Sequence, residues 1–278
     1  MSFEDQEESR SQGEPVELFK FVYGTTPNAF HAYTNAEKSI THAGVTYEPI
    51  PIVRNEIRAS GTLDKAALTV RVPINAEIAE LFRVYPPGQV VTLIVRQGHA
   101  NDTAGEFLVA WSGRVLSGKR EGSETVFTCE PISTSMRRTG LRQNYQYGCR
   151  HALYGPACKA SKPAATLEVV SVIVTATRIT LNEGWNGSFP VAGFVGGMVE
   201  WDTARGREFR SILKIENAGK TLVLTGPTTD FAAGDPLDVV LGCPHDLASC
   251  ETLHDNVVNF GGFPWIPTEN PINKNPFS

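Results

Sequence analysis

Two long stretches of the chain alternate apolar and polar residues with a period of two, a pattern that predicts half-buried β-strands. In the first stretch, residues 16–23 (V-E-L-F-K-F-V-Y) and 67–72 (A-L-T-V-R-V) show the pattern clearly. Ala43-Gly44 lies between two short alternating runs, which predicts a tight hairpin turn. The other strands predicted in this stretch cover 30–34, 52–60, 90–96, 105–116 and 124–130.

One helix is predicted within this first stretch, at 76–84. Ile78, Leu81 and Phe82 share one helical face there, and Pro86-Pro87-Gly88 prevents the helix from continuing. Many strands with a single helix favour a closed or nearly closed β-barrel. Residues 15–130 are therefore predicted to form an N-terminal barrel-like domain.

A second β block is predicted at 167–242, with strands at 167–181, 197–203, 208–216, 221–225 and 237–241. Residues 131–166 connect the two blocks with a short helix predicted at 133–141, and this connection contains basic residues and no acid. Residues 243–278 show no regular pattern and are predicted to be irregular. The predicted fold class is mainly β with few short helices.

Charge is concentrated at the N-terminus, where residues 1–14 contribute −4 of the chain's net −5. This segment is predicted to be flexible, and its acids do not match a secretion signal, so synthesis in the cytoplasm without signal-directed export is expected. No run of 18 apolar residues is present, so no membrane span is expected. The nearly neutral body, despite its basic connection, predicts no specific nucleic-acid binding.

Four of the five cysteines form two pairs, Cys149 with Cys158 (C-x8-C) and Cys243 with Cys250 (C-x6-C), separated by 84 residues. Cysteines clustered in a reduced compartment favour metal or redox chemistry over disulfides. Zinc knuckles usually have shorter gaps, and gaps of this size suit loops around a larger group such as a [4Fe–4S] cluster. The basic connection would offset the negative charge of four thiolates. The fifth cysteine, Cys129, ends a strand and is predicted to be a buried core residue.

Several other interpretations of these cysteines stay open. They include buried or free thiols, disulfides, a four-cysteine zinc site, and a zinc site in which one of three histidines replaces a cysteine. Those histidines are His151, His245 and His254.

Enzymatic and receptor-binding functions are weaker alternatives. A Cys–His hydrolase needs a base beside the nucleophile and an orienting third group, yet no known nucleophile motif surrounds the candidates. An iron–sulfur oxidoreductase lacks a Gly-rich nucleotide loop after a strand. The hydrolase candidates are Cys149/His151 and Cys158/His245, with Asp246 or Asp255 as the orienting group. The aromatic residues for a receptor-binding or glycan-binding surface are Trp185, Trp201 and Trp265.

The motifs Y-G-C-R-H-A-L-Y-G-P-A-C, G-C-P-H-D-L-A-S-C and N-F-G-G-F-P-W-I-P resemble the C-terminal half of a bacteriophage protein family. The hairpin I-T-H-A-G-V-T-Y-E-P-I-P resembles the family's early segment. These are the tail-tip or baseplate hub proteins of long-tailed phages, gene transfer agents and related prophages. More distantly, the chain is similar to the minor tail protein L of lambda-like phages.

The resemblance implies a structural virion protein with no catalytic role, assembled as a homotrimer at the end of a tail tube. A distal tail or tube protein would lie above it and a central tip or fibre protein below it, with the tape-measure protein as a further partner. Carried over by motif, Cys149, Cys158, Cys243 and Cys250 would bind a [4Fe–4S] cluster, with zinc as the alternative. His254 departs from the aromatic residue that similar proteins carry at that position.

Overall fold

The computed structural model describes residues 3–267 except positions 10, 12, 24–28, 58–66, 84, 103, 138–143, 204 and 205. The chain divides into two compact units. Unit 1 is 1–139 with 205–207, and unit 2 is 140–204 with 208–278. The predicted helix at 133–141 is a 3-10 helix at Ile132–Arg137, and its last residues lie outside the described part. Among the described residues, no helix is both long and apolar enough to cross a membrane.

Unit 1 is built on a nine-stranded sheet with the order β3-β4-β2-β1-β7-β8-β9-β6-β5. Most neighbours pair antiparallel, and β2 pairs with β4 in parallel. Its strands are β1 (Pro15–Val22), β2 (Phe30–Thr34), β3 (Ile40–His42), β4 (Val45–Pro49), β5 (Val53–Arg54), β6 (Leu68–Pro73), β7 (Thr92–His99), β8 (Leu108–Glu121) and β9 (Glu124–Pro131). Its helices are α1 (Phe3–Glu7) and α2 (Glu77–Leu81).

The core of unit 1 follows the alternation seen in the sequence. In β6, Leu68, Val70 and Val72 are buried and Arg71 is exposed. Successive side chains of a strand point to opposite faces, so the apolar set packs onto one side. Within the acidic N-terminal segment, Gln6 of α1 is buried.

Unit 2 contains a closed six-stranded barrel with the order β10-β11-β14-β13-β12-β15. Strand β10 pairs with β15, so Thr166 lies opposite Val240 and Val169 opposite Leu237. The strands are β10 (Thr166–Thr175), β11 (Arg178–Leu181), β12 (Met198–Thr203), β13 (Gly206–Glu216), β14 (Thr221–Leu224) and β15 (Pro236–Val240). The buried residues of its core include Ile179, Phe194, Val199, Trp201, Leu222 and Val239.

The mainly β class and the scarcity of helices are confirmed, but closure of the second β block was not predicted. The closed barrel is the second β block, whereas the N-terminal strands form a sheet whose ends, β3 and β5, do not pair with each other in the described residues. The strand expected at 167–181 is two strands separated by a turn at Ala176 and Thr177. The expected irregular region after Cys243 contains the eight-residue helix α3 (Leu247–His254) and a 3-10 turn at Val257–Asn259.

Cys129 lies in the core of unit 1 and has no exposed surface, as predicted. Burial raises the pKa of its thiol to about 12, so it stays protonated at neutral pH. Replacing Cys129 with alanine removes a buried sulfur and is expected to cost roughly 1–2 kcal/mol of unfolding free energy. Urea denaturation followed by tryptophan fluorescence measures this loss, and an unchanged midpoint would contradict it.

Candidate functional site

Four cysteines, two from each predicted pair, line a single cavity in unit 2. Segments 84 residues apart in the sequence therefore meet, as the pairing of the cysteines predicted. The other lining residues are His151, Leu153, His245, His254, Asn256 and Asn259. All three histidines named as alternative ligands thus surround the same space as the cysteines.

The backbone of His245 connects the two cysteine segments. Its carbonyl accepts a hydrogen bond from the amide of Cys149 at 2.7 Å. Its own amide donates to Sγ of Cys243 at 3.4 Å. His245 has a φ of 65°, a left-handed conformation that non-glycine residues adopt rarely and with some strain. The strained backbone at His245 therefore helps to position two of the four thiols.

Asn256 connects the other two cysteines. Its Nδ2 donates to the carbonyl of Cys158 at 2.6 Å and lies 3.6 Å from Sγ of the same residue. Its backbone amide donates to the carbonyl of Cys250 at 3.1 Å. Asn259 Nδ2 donates in turn to Oδ1 of Asn256 at 2.7 Å, which fixes the orientation of the amide. Asn256 is itself buried, so this bridge is shielded from solvent.

The glycine pair of the C-terminal motif lies directly against the first cysteine segment. The amide of Gly261 donates to Sγ of Cys149 at 3.2 Å. A Cβ at Gly261 would come within 2.6 Å of the His151 ring, and one at Gly262 within 2.5 Å of the Tyr147 carbonyl oxygen. Only glycine at both positions lets the tail approach closely enough to make the contact with sulfur.

Helix α3 carries Cys250 and begins at a well-formed cap. Asp246 accepts hydrogen bonds from the amide of Ser249 at 2.7 Å and from its hydroxyl at 2.9 Å. These bonds lower the pKa of the Asp246 carboxyl below its usual range. Asp255 ends the helix in the left-handed conformation. The two aspartates considered as orienting groups of a hydrolase therefore lie at the two ends of this helix.

The sulfur atoms affect each other's ionisation. Burial raises the pKa of Cys250 to about 11, and the neighbouring Cys243, Cys149 and Cys158 contribute in the same direction. Burial also raises the pKa of Cys243, with Cys149 and Cys158 contributing. Without a cation, these two thiols stay protonated at neutral pH. A bound metal group would supply the positive charge that deprotonates them.

Two of the three histidines use a ring nitrogen to contact a backbone carbonyl. His151 Nδ1 lies 3.0 Å from the Asn259 oxygen, and His254 Nε2 lies 2.9 Å from the Gly242 oxygen. His254 also packs edge-on against Tyr154, with 5.8 Å between ring centroids. These contacts are those expected of histidines that support a loop.

Four cysteines around one cavity are a donor set that either an iron–sulfur cluster or a zinc ion can use. In the described part of the chain, no three His, Cys, Asp or Glu side chains are arranged to hold one metal ion. A four-cysteine zinc site would place its thiolates about 2.3 Å from one centre. In a [4Fe–4S] cluster each of the four cysteines binds a different iron, so its ligand sulfurs would lie further apart than those of a zinc site. Hydrogen bonds to cysteine sulfur, as at Cys149 and Cys243, are typical partners of such thiolates.

No sequence pattern indicated that Asn256 and the pair Gly261-Gly262 support the cysteines. The motif N-F-G-G-F-P-W-I-P contributed to the family resemblance, but nothing in it indicated an amide bond to sulfur. Of the tryptophans considered for a binding surface, Trp185 and Trp201 are buried, and Trp185 Nε1 donates to the Gly219 carbonyl at 2.7 Å. Trp265 is 87% exposed.

Comparison with known proteins places this site in a context. A family model described as "Phage conserved hypothetical protein BR0599" matches residues 192–270, which include Cys243, Cys250 and the glycine pair. No curated protein sequence matches the chain significantly. A chain of the structure "Virion of native gene transfer agent (GTA) particle" is similar with a TM-score of 0.79 and 18% identity, over 99% of this chain and 95% of that one. At this identity, the likeness establishes a shared fold.

A second solved structure, the Streptomyces globisporus C-1027 NADH:FAD oxidoreductase SgcE6, is aligned over 43% of this chain and 75% of its own. Its identity is 15% and its TM-score is 0.22, which is too low to indicate a common fold.

Proposed function

We propose that this chain is a structural, non-enzymatic virion protein of a phage or gene transfer agent, the hub of the tail tip or baseplate. In this role it joins the tail tube or distal tail ring to the central tip or fibre protein. Cys149, Cys158, Cys243 and Cys250 hold a [4Fe–4S] cluster that stabilises the hub. The observation that carries the proposal is the convergence of these four cysteines on one cavity.

Two findings support the virion role. The fold is shared over nearly the whole chain with a protein of a gene transfer agent particle, and the family model that covers the second cysteine pair is a phage model. A homotrimer around an open channel, with contacts to the tube protein, the tip protein and the tape-measure protein, is part of the proposal.

The cluster would supply a cross-link between the segment before β10 and the segment after β15. Its iron atoms would neutralise the thiolates, and the chain's own residues would keep the sulfurs in place. The backbone of His245 holds Cys149 and Cys243, while Asn256 holds Cys158 and Cys250. Structural metal groups contribute their binding free energy to folding. The cluster is therefore expected to fasten the two ends of the barrel domain together.

Anaerobic purification tests the metal content. We expect brown protein with broad charge-transfer absorption and about four iron and four sulfide ions per chain, as a [4Fe–4S] cluster requires. Ultraviolet–visible spectroscopy with iron, zinc and sulfide analysis makes the measurement. Colourless protein with one zinc per chain would replace the cluster by zinc. Colourless, metal-free, folded protein would refute the metal part of the proposal.

The virion role has a separate test. Gold-labelled antibody raised against the recombinant chain should bind particles from the producing cells at the end of the tail, and deletion of the gene should leave tails incomplete at that end. Labelling on the capsid, or complete tails in the deletion strain, would exclude a hub.

A further inference from the structure

His245 is the one cavity histidine whose Nδ1 is buried without a hydrogen-bond partner among the described residues. His151 and His254 each place one ring nitrogen against a backbone carbonyl oxygen. Neither ring has a buried nitrogen without a partner among the described residues. A buried polar atom without a partner costs about 1–3 kcal/mol, so a folded protein rarely leaves one without compensation. The arrangement indicates that the partner of Nδ1 lies outside the described residues, as a bound group would.

The surroundings of His245 indicate the chemistry of that partner. The cavity wall around it consists of four cysteine sulfurs, two asparagines, two histidines and a leucine. Its backbone is held by hydrogen bonds with Cys149 and Cys243, so its side chain starts from a fixed point in the cavity wall. A neutral imidazole with its hydrogen on Nδ1 donates one hydrogen bond. A group that accepts such a bond in a sulfur-lined cavity is an anionic sulfur.

We propose that His245 is a positioning residue for the bound cluster, whose Nδ1–H donates a hydrogen bond to a cluster sulfur. This inference rests on the proposed [4Fe–4S] cluster and goes beyond its four cysteine ligands. A hydrogen bond to sulfur stabilises the more negative, reduced form of a cluster and raises its reduction potential. His245 thereby sets the potential of the cluster, in addition to holding Cys149 and Cys243 through its backbone.

The left-handed φ of His245 provides two matched variants. Glycine adopts this conformation at no steric cost and removes the ring, and asparagine tolerates it and keeps a short donor. Both variants therefore leave the backbone bonds to Cys149 and Cys243 in a suitable conformation. His42→Ala, in β3 of unit 1, controls for the loss of a histidine elsewhere.

The experiment compares anaerobically purified full-length wild type with these variants. The readouts are iron and sulfide content, the midpoint potential from a titration followed by electron paramagnetic resonance, and the coupling of exchangeable protons to the reduced cluster in H2O and D2O. We expect His245→Gly to keep its iron, lose one exchangeable-proton coupling and shift to a lower potential. The reduced-to-oxidised ratio should change about tenfold, which is about 59 mV for a one-electron couple. His245→Asn should lie between this variant and the wild type, and His42→Ala should match the wild type.

Each other outcome overturns the inference in a recognisable way. If His245→Gly keeps the wild-type potential and proton coupling, His245 makes no bond to the cluster, although the proposed function stands. If folded His245→Gly and His245→Asn both lose their iron, His245 is a ligand and not a hydrogen-bond donor. If the wild type itself holds no iron and sulfide, the proposed cluster fails together with the inference. His245→Asn provides the comparison if His245→Gly does not fold.

Discussion

Replacing Cys158 with alanine is expected to remove the cluster and to lower the melting temperature of the anaerobic protein by roughly 10 °C or more. The proposed cluster would join segments separated by 84 residues, and closing a loop of about that length is worth about 4–5 kcal/mol in chain-entropy models of cross-links. For a protein of this size, each kcal/mol shifts the melting temperature by roughly 2–4 °C. Differential scanning calorimetry together with iron analysis measures both losses.

Cys129→Ala is the matched control for this variant. Cys129 and Cys158 are both buried, so both substitutions remove a buried sulfur, but only Cys158 lies at the cavity. We expect Cys129→Ala to keep full iron content and to lose only its roughly 1–2 kcal/mol of packing. Equal melting temperatures in the two variants, or full iron in Cys158→Ala, would refute the cross-link.

The strands could be predicted because burial of one face is a local property of the sequence. Leu68, Val70 and Val72 alternate with polar neighbours, and they are the buried residues of β6. The break between β10 and β11 could not be predicted in the same way, because Ala176 and Thr177 are not turn-forming residues. Local pattern therefore predicts that strands exist better than it predicts where they end.

Barrel closure depends on a contact between distant strands. The barrel closes because β10 pairs with β15, and no periodic pattern within either strand specifies that partner. The same limit explains why closure of the second β block was not predicted. The number of strands was informative, but which set closes depends on register and twist across the whole sheet.

Only the four cysteines of the site could be predicted from the sequence. Their two pairs indicated a shared site, and the structure brings all four to one cavity. The residues that support the sulfurs had no comparable signal. Asn256 acts through a contact with Cys158, which is 98 positions away, and His245 acts through its backbone conformation. Such supporting contacts become visible only after the chain has folded.

Replacing Gly242 with alanine is expected to be the most damaging of the glycine substitutions next to a cysteine. Gly242 directly precedes Cys243, and a Cβ there would lie 2.3 Å from the Val195 oxygen and 2.6 Å from the Gly197 nitrogen. Both atoms belong to the backbone, so no side-chain rotation relieves the clash. The amide of Gly242 also donates to the Gly193 carbonyl at 2.8 Å, which holds the segment before Cys243 against residues 193–197. We expect a loss of roughly 4–5 kcal/mol and reduced iron content, because Cys243 moves with its neighbour.

Gly184→Ala, also in unit 2, measures the cost of an unfavourable backbone conformation without steric crowding. Gly184 has a φ of +77°, and a Cβ at this position would meet no described atom within 4 Å, so alanine there has space but an unfavourable backbone conformation. That cost is roughly 1–2 kcal/mol, without any effect on the cavity. Calorimetry and iron analysis of the two variants should therefore rank Gly242→Ala far below Gly184→Ala in both stability and iron. Similar melting temperatures and full iron content in both variants would mean that residues 193–197 move easily and do not fix the position of Cys243.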